Sequence, residues 1–291
     1  MIEAFFRFDF LQYALFTGLM IGFLAPVLGV FLVVKRMSLI ADALSHITLT
    51  GIAFHMLLAR YNPTIAAVTP LYLGLAFSVS GALFIEWLRR MYTSFKELAI
   101  PIVLSGGIGL GVVFISLADG FTTDLFNYLF GSVVAVTIQD VRLIAIITIV
   151  VTVLLTLFYK ELFYLSFDEE HAAVAGLPRQ WLHLLFIVMV ALVITASMRI
   201  VGILLVSALM SLPVAAAMQW AKSFKQMFVY AVLIGEVSVV TGLIFAFQLD
   251  WSAGGTIVLV AVGLLLLSMA GRRLLTKVAV QMNNRRTTSV E

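Results

Sequence analysis

Apolar residues fill this chain in runs of about twenty, each bounded by charged or polar residues, and the runs succeed one another almost end to end. They fall near 11–34, 39–58, 65–88, 99–118, 141–159, 181–198, 200–220, 227–248 and 254–271. A helix needs about 20 apolar residues to cross a hydrocarbon core ~30 Å thick. The pattern therefore predicts an all-α, polytopic membrane protein with about nine transmembrane helices. The seventh run is the weakest: it starts directly after Arg199 and contains Pro213. It is either a full crossing or a broken, re-entrant helix of the kind tolerated only inside protein or beside a cavity, and in the second case the count is eight. The first run follows Glu3, Arg7 and Asp9 rather than a cationic leader, and no small-residue cleavage site comes after it, so a retained helix is expected. The polar stretch 160–180 and the tail 272–291 are too short to build a core. Residues 1–291 read as one transmembrane domain carrying a loop and a basic tail.

Composition removes whole classes of function. The chain is 63% hydrophobic and 11% charged, against about 25% charged in soluble domains, which excludes a secreted enzyme, a disordered regulator and a nucleic-acid-binding module. With no cysteine there is no disulfide, thiolate zinc site or thiol redox chemistry. The net charge of +3 has a topological explanation. The loops on one side hold all but four of the 18 basic residues, the other side keeping only Arg7, Arg60, Arg142 and Arg199. The positive-inside rule then puts the N-terminus outside and the C-terminus in the cytoplasm. Asp119, Asp124, Asp140 and Asp250 fall on the outer side, as solvated loop ends or as a mildly acidic face suited to an incoming cation.

Sequence motifs for chemistry within this chain are missing. There is no H-E-x-x-H, no Gly-x-Gly-Asp and no G-x-x-x-x-G-K-[ST], so an ATP-driven function needs a partner chain. The run from Ser105 to Gly111 lacks nucleotide-loop spacing and places Gly107 and Gly111 four apart, as in close helix packing. Ionisable residues well inside apolar runs are costly, and Asp42, His46 and Glu236 are the clearest. Asp42 and His46 are four apart, so a helix brings them to one face with Cβ atoms about 5–6 Å apart. One divalent ion can touch both, and carboxylate with imidazole suits zinc or manganese. The alternative is a neutralised pair holding two helices together. Two ligands fall short of the usual four of a stable zinc site; either the site is transient, or a second copy supplies the same pair across a twofold axis. Glu236 lines the pathway or is satisfied by a neighbouring helix. His55 is half a turn of phase away from His46, and His183 begins a span at an interface. The stretch Ser166 to Pro178 reads as a short cytoplasmic helix led by Asp168, Glu169 and Glu170, continued by His171 and Ala172 and ended by Gly176-Leu177-Pro178.

Four stretches together resemble the membrane subunits of bacterial ATP-binding-cassette uptake systems for zinc, manganese and iron. Asp42-Ala43-Leu44-Ser45-His46 with Leu49-Thr50-Gly51 is similar to the family's D-A-L-S-H…P-G signature, with Thr50 where Pro is common. Tyr128 to Val136 resembles its Leu-Phe-Gly block, Asp168 to Leu177 its ATPase-contacting loop, and Val201 to Leu209 with Pro213 its late V-G-x-L-L-V-x-A-L…P block. The resemblance implies a permease of the type II importer class in the bacterial cell membrane. It implies a homodimer working with two cytoplasmic ATPase subunits and an extracytoplasmic metal-binding protein, and a subunit that is itself not an enzyme and keeps no resident cofactor. In that frame Asp42 and His46 become pathway ligands for metal as cargo, and Asp168, Glu169, Glu170, His171, Ala172, Gly176 and Leu177 the coupling helix. Ser132 after Gly131, where the manganese branch commonly has Asn, resembles the zinc branch, so zinc is expected ahead of manganese. Outside the family, an ion-coupled secondary transporter would use Asp42, His46 and Glu236 as a relay, and a membrane-embedded enzyme would need a nucleophile–base pair that spacing does not reveal.

Overall fold

The computed structural model describes residues 8–288 apart from 93, 119, 121 and 168–175. Within them all regular structure is helical: α1 (Asp9–Val34), α2 (Leu39–Tyr61), the short α3 (Pro63–Ala66), α4 (Leu71–Met91), a 3₁₀ turn (Lys96–Leu98), α5 (Ala99–Leu117), α6 (Thr123–Phe130), α7 (Ile138–Leu157), α8 (Tyr159–Phe167), α9 (Arg179–Val201), α10 (Ile203–Ala217), α11 (Phe224–Leu249) and α12 (Ala253–Thr288). Eight helices among the described residues are long and apolar enough to cross a membrane.

The run at 200–220 is the exception. Its helix, α10, has 15 residues, roughly 22 Å at 1.5 Å per residue, short of the ~30 Å core. Gly202 separates it from α9 without a loop, at φ 81° and ψ 155°, a conformation open essentially to glycine. α10 is tied to neighbouring helices near both of its own ends. Gly202 abuts Leu129, Phe130 and Gly131, while beyond its other end Trp220 Nε1 donates to Ser268 Oγ at 2.6 Å.

Inner and outer helices differ in how far the protein covers them. Over their most apolar windows α1, α2 and α9 are 67%, 67% and 72% buried, whereas α7 and α12 are 28%. The outer helices turn large apolar side chains such as Val112, Ile149 and Leu267 outward, a surface that lipid rather than water would cover. α2 lies at the centre, packed on α4, α5, α9 and α10, and α1 packs on α7, α9, α10 and α11.

One end is closed by a knot of backbone and charge. Gly131 (φ 74°) lies against the carbonyl of Ile200, and Ser132 N donates to Arg199 O at 3.0 Å. Asp140, 1% exposed, completes a capping box with Thr137 and sits 3.5 Å from Arg199 Nε. The Arg199 guanidinium also covers the Tyr128 ring at 4.9 Å. Asp140 is therefore not a solvated acid: Arg199, far away in the chain, draws it inside.

Candidate functional site

Asp42 and His46 lie on the first half of α2, and that helix is covered unevenly. Ala41, Ala43, Leu44, Ser45, Ile47 and Thr48 are buried. Leu39 is exposed, and Asp42, His46 and Leu49 are only half-buried. Spaced three, four and three apart, these four form a single stripe along the helix. The two polar members sit one turn apart, close enough to interact electrostatically.

Lys35, just past the end of α1, reaches α9 with its side chain. Lys35 Nζ stands 4.9 Å above the centre of the Phe186 ring, and Phe186 is seven residues, roughly 10 Å of helix, past the start of α9. α2 begins at Leu39, whose side chain is exposed. Next to its first turn α10 brings up Ser207 and Ser211, which with Ser38, Ala41 and Gly29 border a void of about 10 Å³, room for about one water. The polar side chains Asp42, His46, Ser207 and Ser211 thus belong to a packed pair of helices, α2 and α10. Among the described residues no three His, Asp or Glu side chains converge as a complete metal cage. One chain supplies a carboxylate and an imidazole, which can hold a divalent ion in passing but do not enclose it.

Glu236 is not brought to this pair. α11 packs on α1, α10 and α12, and the Glu236 carboxylate reaches the Cα side of Gly22 on α1. Its Oε2 is buried without a hydrogen-bond partner among the described residues. His55, 3% exposed, directs Nε2 to Ile65 O at 3.0 Å and leaves the stripe. Gly107 and Gly111 face Ile47 and Thr50 of α2, so the glycine run is a helix-packing surface, as its spacing predicts.

The sequence reading missed a second buried ionic cluster. Glu86, 7% exposed, lies 3.0 Å from His183 Nδ1 and 3.4 Å from Arg90 Nε, while Arg89 contacts the His183 ring. With hydrogen on Nδ1, His183 donates to Glu86 and accepts from Arg89 at Nε2. In the sequence Glu86 is a carboxylate near a helix end followed by two arginines; the approach of α9 to α4 is what encloses it.

Of the expected coupling residues, Asp168, Glu169, Glu170, His171 and Ala172 lie outside the described residues. Gly176 adopts φ 75°, and Leu177 packs against Leu165 and Leu182. The segment just before them is anchored by aromatic rings. Phe163 and Phe167 meet Phe224 at 5.0 and 5.3 Å, and Phe224 meets Phe31 and Phe228 at 5.8 and 4.9 Å. α8 is thereby packed edge-to-face onto α1 and α11.

Residues 7–272 match the model of the ABC 3 transport family. The chain is 35% identical over 260 residues to the manganese transport system membrane protein MntC of Listeria monocytogenes, covering 89% of this chain and 90% of the relative. It is 32% identical over 265 residues to the high-affinity zinc uptake system membrane protein ZnuB of Haemophilus influenzae, covering 91% and 98%. Among solved structures, PsaBC from Streptococcus pneumoniae in complex with Fab matches with a TM-score of 0.79 and 32% identity over 92% of this chain and 93% of that one.

Proposed function

The chain belongs to the ABC 3 transport family, and from that premise we propose that it is the permease subunit of an ATP-driven importer, passing a divalent transition metal along the Asp42–His46 stripe. The observation that carries this reading is the incomplete covering of α2: over residues 39–50 the helix is buried on every side except the one that presents a carboxylate and an imidazole one turn apart. A second copy of the chain facing that stripe would complete a shared pathway with four donors, two from each chain. In the assembly two ATPase chains dock at 168–177 on the basic, cytoplasmic side, and an extracytoplasmic binding protein delivers metal at the other. ATP binding shifts the dimer between outward-open and inward-open states through contacts that differ between them. Metal held by few ligands per chain is partly desolvated, then released, so turnover is not blocked by a tight cage.

Two observations bear on the cargo. Ser132 after Gly131 favours zinc, while the manganese-named relative at 35% identity favours manganese; the donor pair serves both. Uptake of radioactive zinc and manganese by cells with and without the gene, each ion competing with the other, decides between them. The ATP-driven reading itself is tested by co-purification. A tagged chain should bring down an ATPase, and uptake should stop in ATP-depleted cells. Uptake that persists there on an intact ion gradient, with no ATPase recovered, would contradict it.

A further inference from the structure

Beside the Glu86 cluster, α4, the 3₁₀ turn and α9 enclose an open cleft of about 190 Å³ that the metal pathway does not use. Among the described residues its walls carry Arg89, Arg90, Lys96 and Arg179 against one carboxylate, Glu86. That carboxylate is already engaged by His183 and Arg90. Lys96 and Arg179 are exposed, and among the described residues their side chains make no ion pair or hydrogen bond. The cleft therefore carries an excess of cationic donors and suits an anion.

A neighbouring trough of about 410 Å³ shares Arg90 and Arg179 with the cleft and is walled by Leu177, Pro178, Trp181 and Leu184. Trp87 and Trp181, 52% and 48% exposed, mark this level of the bundle, and tryptophan concentrates where hydrocarbon meets water. The exposed face of α4 leading away from it is apolar, with Leu83 and Phe84. A basic cleft opening into an apolar trough at an aromatic level has the two-part chemistry of a phospholipid, a phosphate headgroup and an acyl chain. Arginine pairs with phosphate oxygens through parallel hydrogen bonds, and basic pockets between transmembrane helices hold anionic headgroups.

We propose that this cleft and trough bind one anionic phospholipid, with its phosphate among Arg90, Lys96 and Arg179 and an acyl chain along Trp181 and Leu184. The test is native mass spectrometry of the full chain in detergent, offered phosphatidylglycerol or phosphatidylcholine of the same acyl composition. A retained phosphatidylglycerol adduct about tenfold more abundant than the phosphatidylcholine one is expected, and Lys96→Gln with Arg179→Gln should lower it to the phosphatidylcholine level. Both side chains are exposed, so helical circular dichroism should be unchanged, and Arg179→Glu alone should give the same loss from a single site. Millimolar inorganic phosphate should not strip the lipid, because phosphate lacks the acyl contact. Equal adducts of the two lipids, a phosphatidylglycerol adduct that survives the substitutions, or displacement by phosphate alone would each overturn the assignment.

Discussion

The hydroxyl of Thr50 lies 2.7 Å from the carbonyl oxygen of Gly107 and 2.9 Å from that of His46. It ties α2 to α5 one turn beyond the proposed metal ligand. α2 runs unbroken from Leu39 to Tyr61, and Thr50 supplies a bond between helices. Thr50→Val should cost ~1 kcal/mol, the net worth of a buried hydrogen bond, and Gly107→Leu about 1–3 kcal/mol by overpacking Ile47. Thermal unfolding of the purified protein in detergent checks both; an unchanged midpoint in Gly107→Leu would show that α5 does not approach α2 this closely.

Removing either member of the Asp140–Arg199 pair should be severe, roughly 3–5 kcal/mol, because each leaves the other charge buried and uncompensated. Asp140→Asn with Arg199→Met should recover part of that loss. A double-variant cycle on the unfolding midpoint measures the coupling, and strictly additive losses would mean that the two do not act as a pair.

These two interactions show where sequence reading stops. Hydrophobic runs locate the long helices because lipid demands a continuous apolar surface, and the Asp42–His46 pair is legible because helical periodicity puts neighbours in sequence onto one face. Asp140 with Arg199 and Glu86 with His183 join distant helices, and nothing in local spacing announces them. Asp140 reads as a loop acid until Arg199 comes alongside. The length of α10 is hidden for a related reason: Gly202 ends α9 by a backbone conformation, leaving the apolar run unbroken. The unevenness of α2 burial, which gives the site its meaning, is a property of packing alone.

Glu236 abuts Gly22 on α1, and α11 packs on α1, α10 and α12 rather than on α2. Glu236→Gln should therefore keep metal uptake within about twofold, a change under 0.5 kcal/mol in effect, while Asp42→Ala abolishes it. Measured side by side in whole cells, loss of uptake in Glu236→Gln equal to that in Asp42→Ala would place Glu236 in the pathway.

Gly176 holds a positive φ of 75° next to the proposed coupling segment. Gly176→Val strains that turn by about 1–2 kcal/mol and should lower stimulation of the partner ATPase by metal-loaded binding protein while leaving the membrane bundle folded. ATPase assays on the reconstituted complex read this out. Full stimulation in the variant would remove residues 168–177 from the coupling role.

The central claim is that metal passes Asp42 and His46. Its most direct test is ATP-dependent accumulation of radioactive zinc or manganese by proteoliposomes containing the permease, its ATPase and the binding protein, with Asp42→Ala and His46→Ala compared with wild type. The account predicts that both variants assemble with the ATPase yet lose at least about 90% of transport, a tenfold effect of roughly 1.4 kcal/mol or more. Wild-type accumulation in both variants would contradict it.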